Sequence, residues 1–310
     1  MNQHLAGVLV ALAAAALYSL AVGLQAIEAR KAPRKDTLRF ALLGRLIRRP
    51  LWLAGAITGI LGWALQAVAL SFAPLTLVEP TLAASLVFLL IFGARALGEH
   101  VGPNEIVGVL AVSLGLAGLG WAAPSHSPQH SGGMTFAVIL AVLTVIVIAP
   151  YLIGLRRHAP VLLVAASAGV AYAFAGLSTK FATDELHRST LIAALIWLGV
   201  LTAVSVVGQL NEMSALQQLP VTHVAPVVFG LNVLVPVALA PVLAHETWGH
   251  SNGIRAVLVG SLVLVIAGLI ALARSKAVGA VYRTEADLTS AGRPDRPPRA
   301  IPAGVPETSE

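Results

Sequence analysis

The sequence predicts an all-α integral membrane protein with nine transmembrane helices, built as two inverted four-helix repeats (spans 1–4 and 6–9) with a linking helix as span 5. Three observations predict it. Hydrophobic residues make up 57% of the 310-residue chain and charged residues only 11%, with mean hydropathy +0.84. A soluble domain carries about a quarter charged residues to cover its surface, so here lipid must act as the solvent. Nine runs approach the roughly 20 apolar residues that a helix needs to cross hydrocarbon. Seventeen of the twenty lysines and arginines then fall on one side of those runs, the asymmetry that marks a cytoplasmic face.

The runs are 5–27, 51–72, 75–95, 105–123, 134–154, 160–180, 190–210, 219–243 and 253–274. The first follows an uncharged MNQH and precedes a dense basic stretch. A cleavable leader has its positive charge in front, so this span is expected to stay in the chain. Eight basic residues, Arg30 to Arg49, fill the loop 30–50 before the second span. Arg95 follows the third, Arg156 and Arg157 the fifth, and six more from Arg274 to Arg299 the ninth. Lys180, Arg188 and Arg255 alone lie on the other side. This split predicts an outside N-terminus and a cytoplasmic C-terminus for a multi-pass protein of the cell (inner) membrane. The organisation is therefore 1–123 for the first repeat, 124–158 for linking helix 5, 159–276 for the second repeat and 277–310 for a tail. The tail is rich in Arg, Pro, Thr, Glu and Ser and is expected to be disordered. Within the basic loop, residues 37–49 (TLRFALLGRLIRR) read either as a short basic helix on the inner leaflet or as a plain cytoplasmic loop.

Composition also excludes function classes. The net charge of +6 sits in one loop and one tail rather than on a folded face, so no nucleic-acid partner is expected. With no cysteine there is no disulfide, thiolate metal site or cysteine nucleophile. No HExxH, GxSxG or GxxxxGK[ST] motif is present, so the chain reads as no enzyme, with no cofactor and no ATPase of its own. The expected partners are the lipid bilayer and a small solute or ion, with a homodimer left open.

The halves can be laid over each other. Ala69-Leu70, Pro74 and Pro80 recur at the same spacing as Ala215-Leu216, Pro220 and Pro226. Glu99 matches Glu246 with one residue of slip, Gly108 and Gly115 match Gly253 and Gly260, Trp52 matches Trp197, and Gly23 matches Gly176. An offset of five spans turns the second repeat upside down, the arrangement of secondary transporters that work by alternating access. Gly55, Gly59, Gly108, Gly115, Gly118, Gly253 and Gly260 are expected to let helices approach closely.

From Trp52 to Gly118 the pattern W..G...G..G...Q..AL...PL.LVEP…LGE…G......G..G resembles the drug/metabolite transporter (DMT, EamA-like) superfamily. Leu24-Gln25 and Ser178-Thr179-Lys180, the basic loop and an odd span count make the chain most similar to its NIPA-type magnesium transporter branch. The chain departs from that branch at Ala26 and Ile27, where lysines are usual, and at Glu79, where a neutral residue is usual. The resemblance implies a secondary transporter, with magnesium or another divalent cation as its substrate. The alternatives are a DMT-type exporter of small polar metabolites and, behind it, a non-transporting scaffold or receptor.

Polar side chains inside lipid usually face a cavity or a partner. The substrate-binding or pathway candidates are Gln25, Gln66, Glu79, Lys180, Gln209, Glu212, His223 and Asn232, with Pro80 and Pro226 as helix breakers that free a carbonyl one turn earlier. Glu79 reads as a cation or proton site, or as an ion-pair partner of Lys180 at the end of span 6. Magnesium gives up its water reluctantly, so one or two carboxylates, Glu79 and Glu212, would suffice to hold it. Glu99 and Glu246 suit loop structure or gating, and Gly102 to Glu105 read as the turn and cap that begin span 4.

Overall fold

A computed structural model describes residues 3–73, 75–99, 101–122, 134–154, 159–187, 190–243 and 252–274. The tail 277–310, Pro74 and Glu246 lie outside the described residues, as does the side chain of Glu79. The regular elements are helices throughout: α1 (Gln3–Lys31), α2 (Phe40–Leu46), α3 (Pro50–Phe72), α4 (Leu75–Leu82), α5 (Ala84–Ala96), α6 (Pro103–Ala122), α7 (Met134–Gly154), α8 (Val161–His187), α9 (Leu191–Leu216), α10 (Val221–Leu243) and α11 (Asn252–Ala273). A 3-10 turn, Arg34–Asp36, precedes α2.

Eight of them, α1, α3 and α6 through α11, are long and apolar enough to cross a membrane. The predicted span 75–95 is a broken element instead: α4 and α5 meet at Ala83. Pro80 lies inside α4, and its ring both lacks an N–H and crowds the carbonyl four residues earlier, so the helix stops within a turn. The hydroxyl of Ser19 on α1 lies 2.6 Å from the carbonyl of Ser85, just past the break.

Two other helices outrun their predicted ends. α8 continues to His187 and α9 to Leu216, past 180 and 210. The added residues FATDELH and NEMSAL contain no Gly or Pro to stop a helix. Asn211 and Glu212 are also buried in protein, so their polarity does not end the segment as it would in lipid. Lys180 therefore lies about two turns inside α8 rather than at its end.

α1 packs on α3 and on the α4–α5 pair; α8 packs on α9 and on α10. The same neighbour relations thus occur in both halves. The halves meet along α6 and α11. There Gly108 and Gly268 face each other's backbone: a Cβ on Gly268 would lie 2.7 Å from the Gly108 carbonyl oxygen, and one on Gly115 would lie 2.8 Å from that of Ser261. Gly55 and Gly62 likewise let α3 approach α1. The expectation for span 9 needs correction. Nothing lies within 4 Å of a Cβ on Gly260, and Gly253 is exposed. The contact falls to Gly268, two turns later, because α6 and α11 meet on that face. Trp63, Leu114, Ile192 and Val263 are each at least 60% exposed and form an outer surface that only lipid can solvate.

The basic segment between α1 and α3 is folded. Leu42 and Leu46 turn inward and join the core with Met213 and Leu216 of α9, while Phe40 and Ile47 point away from the protein. Asp36, buried, pairs with Arg45 at 2.9 Å. This end of the bundle is called the basic end below.

Candidate functional site

Gln209 and Glu212 stand three residues apart on α9 and so share a helix face. Tyr172 of α8 reaches both: its hydroxyl lies 2.7 Å from Glu212 Oε2 and 2.9 Å from Gln209 Oε1. A phenol has one proton to donate, and the carboxylate is the stronger acceptor. Gln209 Nε2 donates to Gln25 Oε1 of α1 at 3.2 Å, which carries the cluster across to the first half. Glu212 is only 6% exposed, and among the described residues no basic side chain pairs with it. The cluster therefore offers carboxylate and amide oxygens without a counter-charge.

The first half holds a counterpart. Tyr18 of α1 donates to Gln66 Oε1 of α3 at 2.7 Å. Gln66 and Glu212 are the residues that fall in register when the sequences of the two halves are laid over each other. Each accepts a hydrogen bond from a tyrosine on the neighbouring long helix. Gln66 lies in the half of α3 away from the basic end, and Glu212 in the half of α9 towards it.

The other predicted residues are dispersed. His223, in the first turn of α10, lies 3.5 Å from Glu105 of α6 and outside the Tyr172 cluster. Asn232 sits near the middle of α10, partly buried, and its amide makes no hydrogen bond among the described residues. Lys180 is partly buried on α8 and makes no ion pair among the described residues; its expected pairing with Glu79 falls outside the described side chains. Pro80 lies at the α4–α5 break and Pro226 is enclosed within α10. Among the described residues no three His, Asp or Glu side chains converge in a way that could hold a metal ion. Glu212 has no second carboxylate beside it there, so the expected Glu79–Glu212 pair rests on a side chain outside the described set.

Sequence reasoning missed Tyr172, Tyr151 and Asn211. Asn211, fully buried between Gln209 and Glu212, accepts from Tyr151 of α7 at 2.6 Å and donates to Ser167 of α8 at 2.9 Å. It pins α7, α8 and α9 behind the cluster. The available signal was three polar residues within four positions of an apolar run, and tyrosines spaced to meet them.

A second polar group joins the halves at the basic end. Glu99 forms an ion pair with Arg30 of α1 and accepts from the backbone N–H groups of Val221 at 2.7 Å and Thr222 at 3.1 Å. These are the first N–H groups of α10, which no carbonyl within that helix can satisfy. Glu105 completes its own helix start by accepting from Gly102 N–H at 3.0 Å, as the sequence led one to expect, and turns its other oxygen to His223. Beside them, Gln217 Nε2 lies 3.3 Å from the carbonyl of Ala32, Thr37 Oγ1 lies 2.8 Å from Gln217 Oε1, Leu38 N–H donates to Ser214 Oγ at 3.0 Å, and Trp52 Nε1 lies 3.4 Å from Met213 Sδ.

Residues 2–153 match the family described as magnesium transporter NIPA. Over that stretch, just under half of its length, the chain is similar to the NIPA family. The match runs through α1 to α7 and so includes Tyr18, Gln25, Arg30, Gln66, Glu99 and Glu105, while Tyr172, Gln209, Glu212, His223 and Asn232 lie beyond it. That match and the eight apolar helices together support a multi-pass membrane protein, and they accord with the wider DMT superfamily. An uncharacterized protein of Corynebacterium glutamicum is 35% identical over 118 residues, 37% of this chain and 41% of that protein. The alignment thus spans about two fifths of that relative. No solved structure matches the chain.

Proposed function

We propose that the protein is a secondary transporter that carries magnesium or another divalent cation by alternating access. Its two halves act as inverted repeats, with the α4–α5 pair as one broken passage in a total of nine spans. The N-terminus is outside and the basic end cytoplasmic. The observation that carries this reading is the Tyr172–Glu212–Gln209–Gln25 cluster. A buried carboxylate without a basic partner requires a cation or a proton. Amide and carboxyl oxygens suit a hard cation, which can keep several of its waters and bind through one carboxylate. The placing of Tyr18–Gln66 and Tyr172–Glu212 at opposite depths supports the inversion. The polar joint at the basic end supports a conformation closed on that side.

Two side chains favour a second reading, an exporter of small polar metabolites. Lys180 and the amide of Asn232, which makes no hydrogen bond among the described residues, would suit an anionic or amino-acid-like group better than a divalent cation. A flux panel in proteoliposomes separates the two. It compares magnesium, other divalent cations and amino-acid-like metabolites, each with and without a proton gradient. Magnesium flux that saturates and is lost in Glu212→Gln is expected. Metabolite flux alone would establish the second reading, and no flux of any solute would return the chain to the scaffold class.

A further inference from the structure

The exposed face of α2 is built for something other than water. Phe40 is 65% exposed and Ile47 53%, and Gly44 lies between them at helical spacing, with nothing within 4 Å of a Cβ placed there. Arg34, Lys35, Arg39, Arg48 and Arg49 flank α2 along the chain on both sides, all exposed and in no ion pair among the described residues. The one acid of the segment, Asp36, is buried and taken by Arg45. An apolar stripe flanked by cations fits one surface, a leaflet rich in anionic phospholipid. α1 and α3, the two membrane-length helices that flank the segment, place it at the boundary where such headgroups lie. The chain's own tail is a poor competitor. Residues 275–310 carry five basic and five acidic side chains, so no net charge draws them to this patch.

The opposite face of the same segment grips the second half. Thr37 meets Gln217, Leu38 N–H reaches Ser214, and Leu42 and Leu46 pack against α9. Leu38 is the one described non-glycine residue with a positive φ, 57°, a conformation held in place by those contacts. We propose that α2 is a docking surface for anionic phospholipid, and that lipid seated on its outer face holds its inner face against α9 and keeps the basic end closed. The lipid contact requires no transport activity, so it stands or falls apart from the transport reading.

The chain contains no cysteine, so single labels report cleanly. A fluorophore on Gly44→Cys in the full-length protein is quenched by brominated phosphatidylglycerol or brominated phosphatidylcholine, in vesicles mixed from the two lipids. The expected result is about fivefold enrichment of phosphatidylglycerol beside the label, falling towards parity when Arg39, Arg48 and Arg49 are changed to Gln. Equal quenching by the two lipids before the arginines are changed would overturn the proposal. So would a label that neither lipid reaches, because the tail or a second copy would then cover the face. A second readout addresses the grip: disulfide formation in Thr37→Cys/Gln217→Cys is expected to be several-fold faster in vesicles with phosphatidylglycerol than in phosphatidylcholine alone. Equal rates would remove the link between lipid and closure.

Discussion

Among the described residues, Glu212 takes its hydrogen bond from one donor, Tyr172. Tyr172→Phe removes that donor and leaves the buried carboxylate short of a partner, at a cost of about 1–3 kcal/mol. The expected outcome is a lower melting temperature in detergent, with magnesium restoring part of the loss if the cluster binds the ion. The same magnesium addition should leave Glu212→Gln unchanged. A melting temperature indifferent to magnesium in the unaltered protein would sink the cluster as the ion's site. Glu79→Gln is expected to abolish flux while the protein still folds and inserts; retained flux would make Glu79 structural. Three of the predicted residues, Gln25, Gln209 and Glu212, came together because polar groups on apolar runs must find one another. Tyr172 stands out less than these, because tyrosine is at home at lipid interfaces and only its partners on α9 mark it.

At the scale of elements, the glycines make a matched test. Gly268→Ala places a methyl group against the Gly108 backbone and should destabilise the α6–α11 pair by about 1–3 kcal/mol. Gly260→Ala meets open space and should be neutral or stabilise by up to roughly 1 kcal/mol through helix propensity. Thermal unfolding of the two variants decides this, and equal effects would mean that α6 and α11 do not meet as described. The long helices were legible from apolar length alone. The facing of α11 was not, because a glycine spaced like its repeat mate carries no information about which side meets a neighbour. Nor was the α4–α5 break legible as a break: Pro80 announces a weak point, but whether a helix bends or parts there depends on what receives the freed carbonyl. The ends of α8 and α9 ran late for a related reason. Hydropathy measures cost in lipid, and the last turns of α9 are enclosed by protein, while those of α8 contain no Gly or Pro to stop the helix.

For the whole molecule, the nine-span reading predicts that His4→Cys reacts with a membrane-impermeant thiol reagent from outside, and Arg274→Cys only after the membrane is opened. Reaction of both from the same side would require an even number of spans. The joint at the basic end makes a further prediction. Glu99→Gln removes the anion that serves both Arg30 and the start of α10, a loss of about 1–3 kcal/mol for charged hydrogen bonds. Spin labels on Lys31→Cys and Gln218→Cys should then show a longer and broader separation, and an unchanged distribution would remove Glu99 from the joint. The joint was not legible in the sequence, since Arg30, Glu99 and Val221 share no pattern along the chain. That joint also sets an affinity. In the proposed transporter, a closure worth roughly 3 kcal/mol leaves on the order of 1% of molecules open at the basic end, and any ligand arriving from that side then binds about a hundredfold more weakly than its site allows. The same cluster would look strong to an ion from one compartment and weak to the same ion from the other.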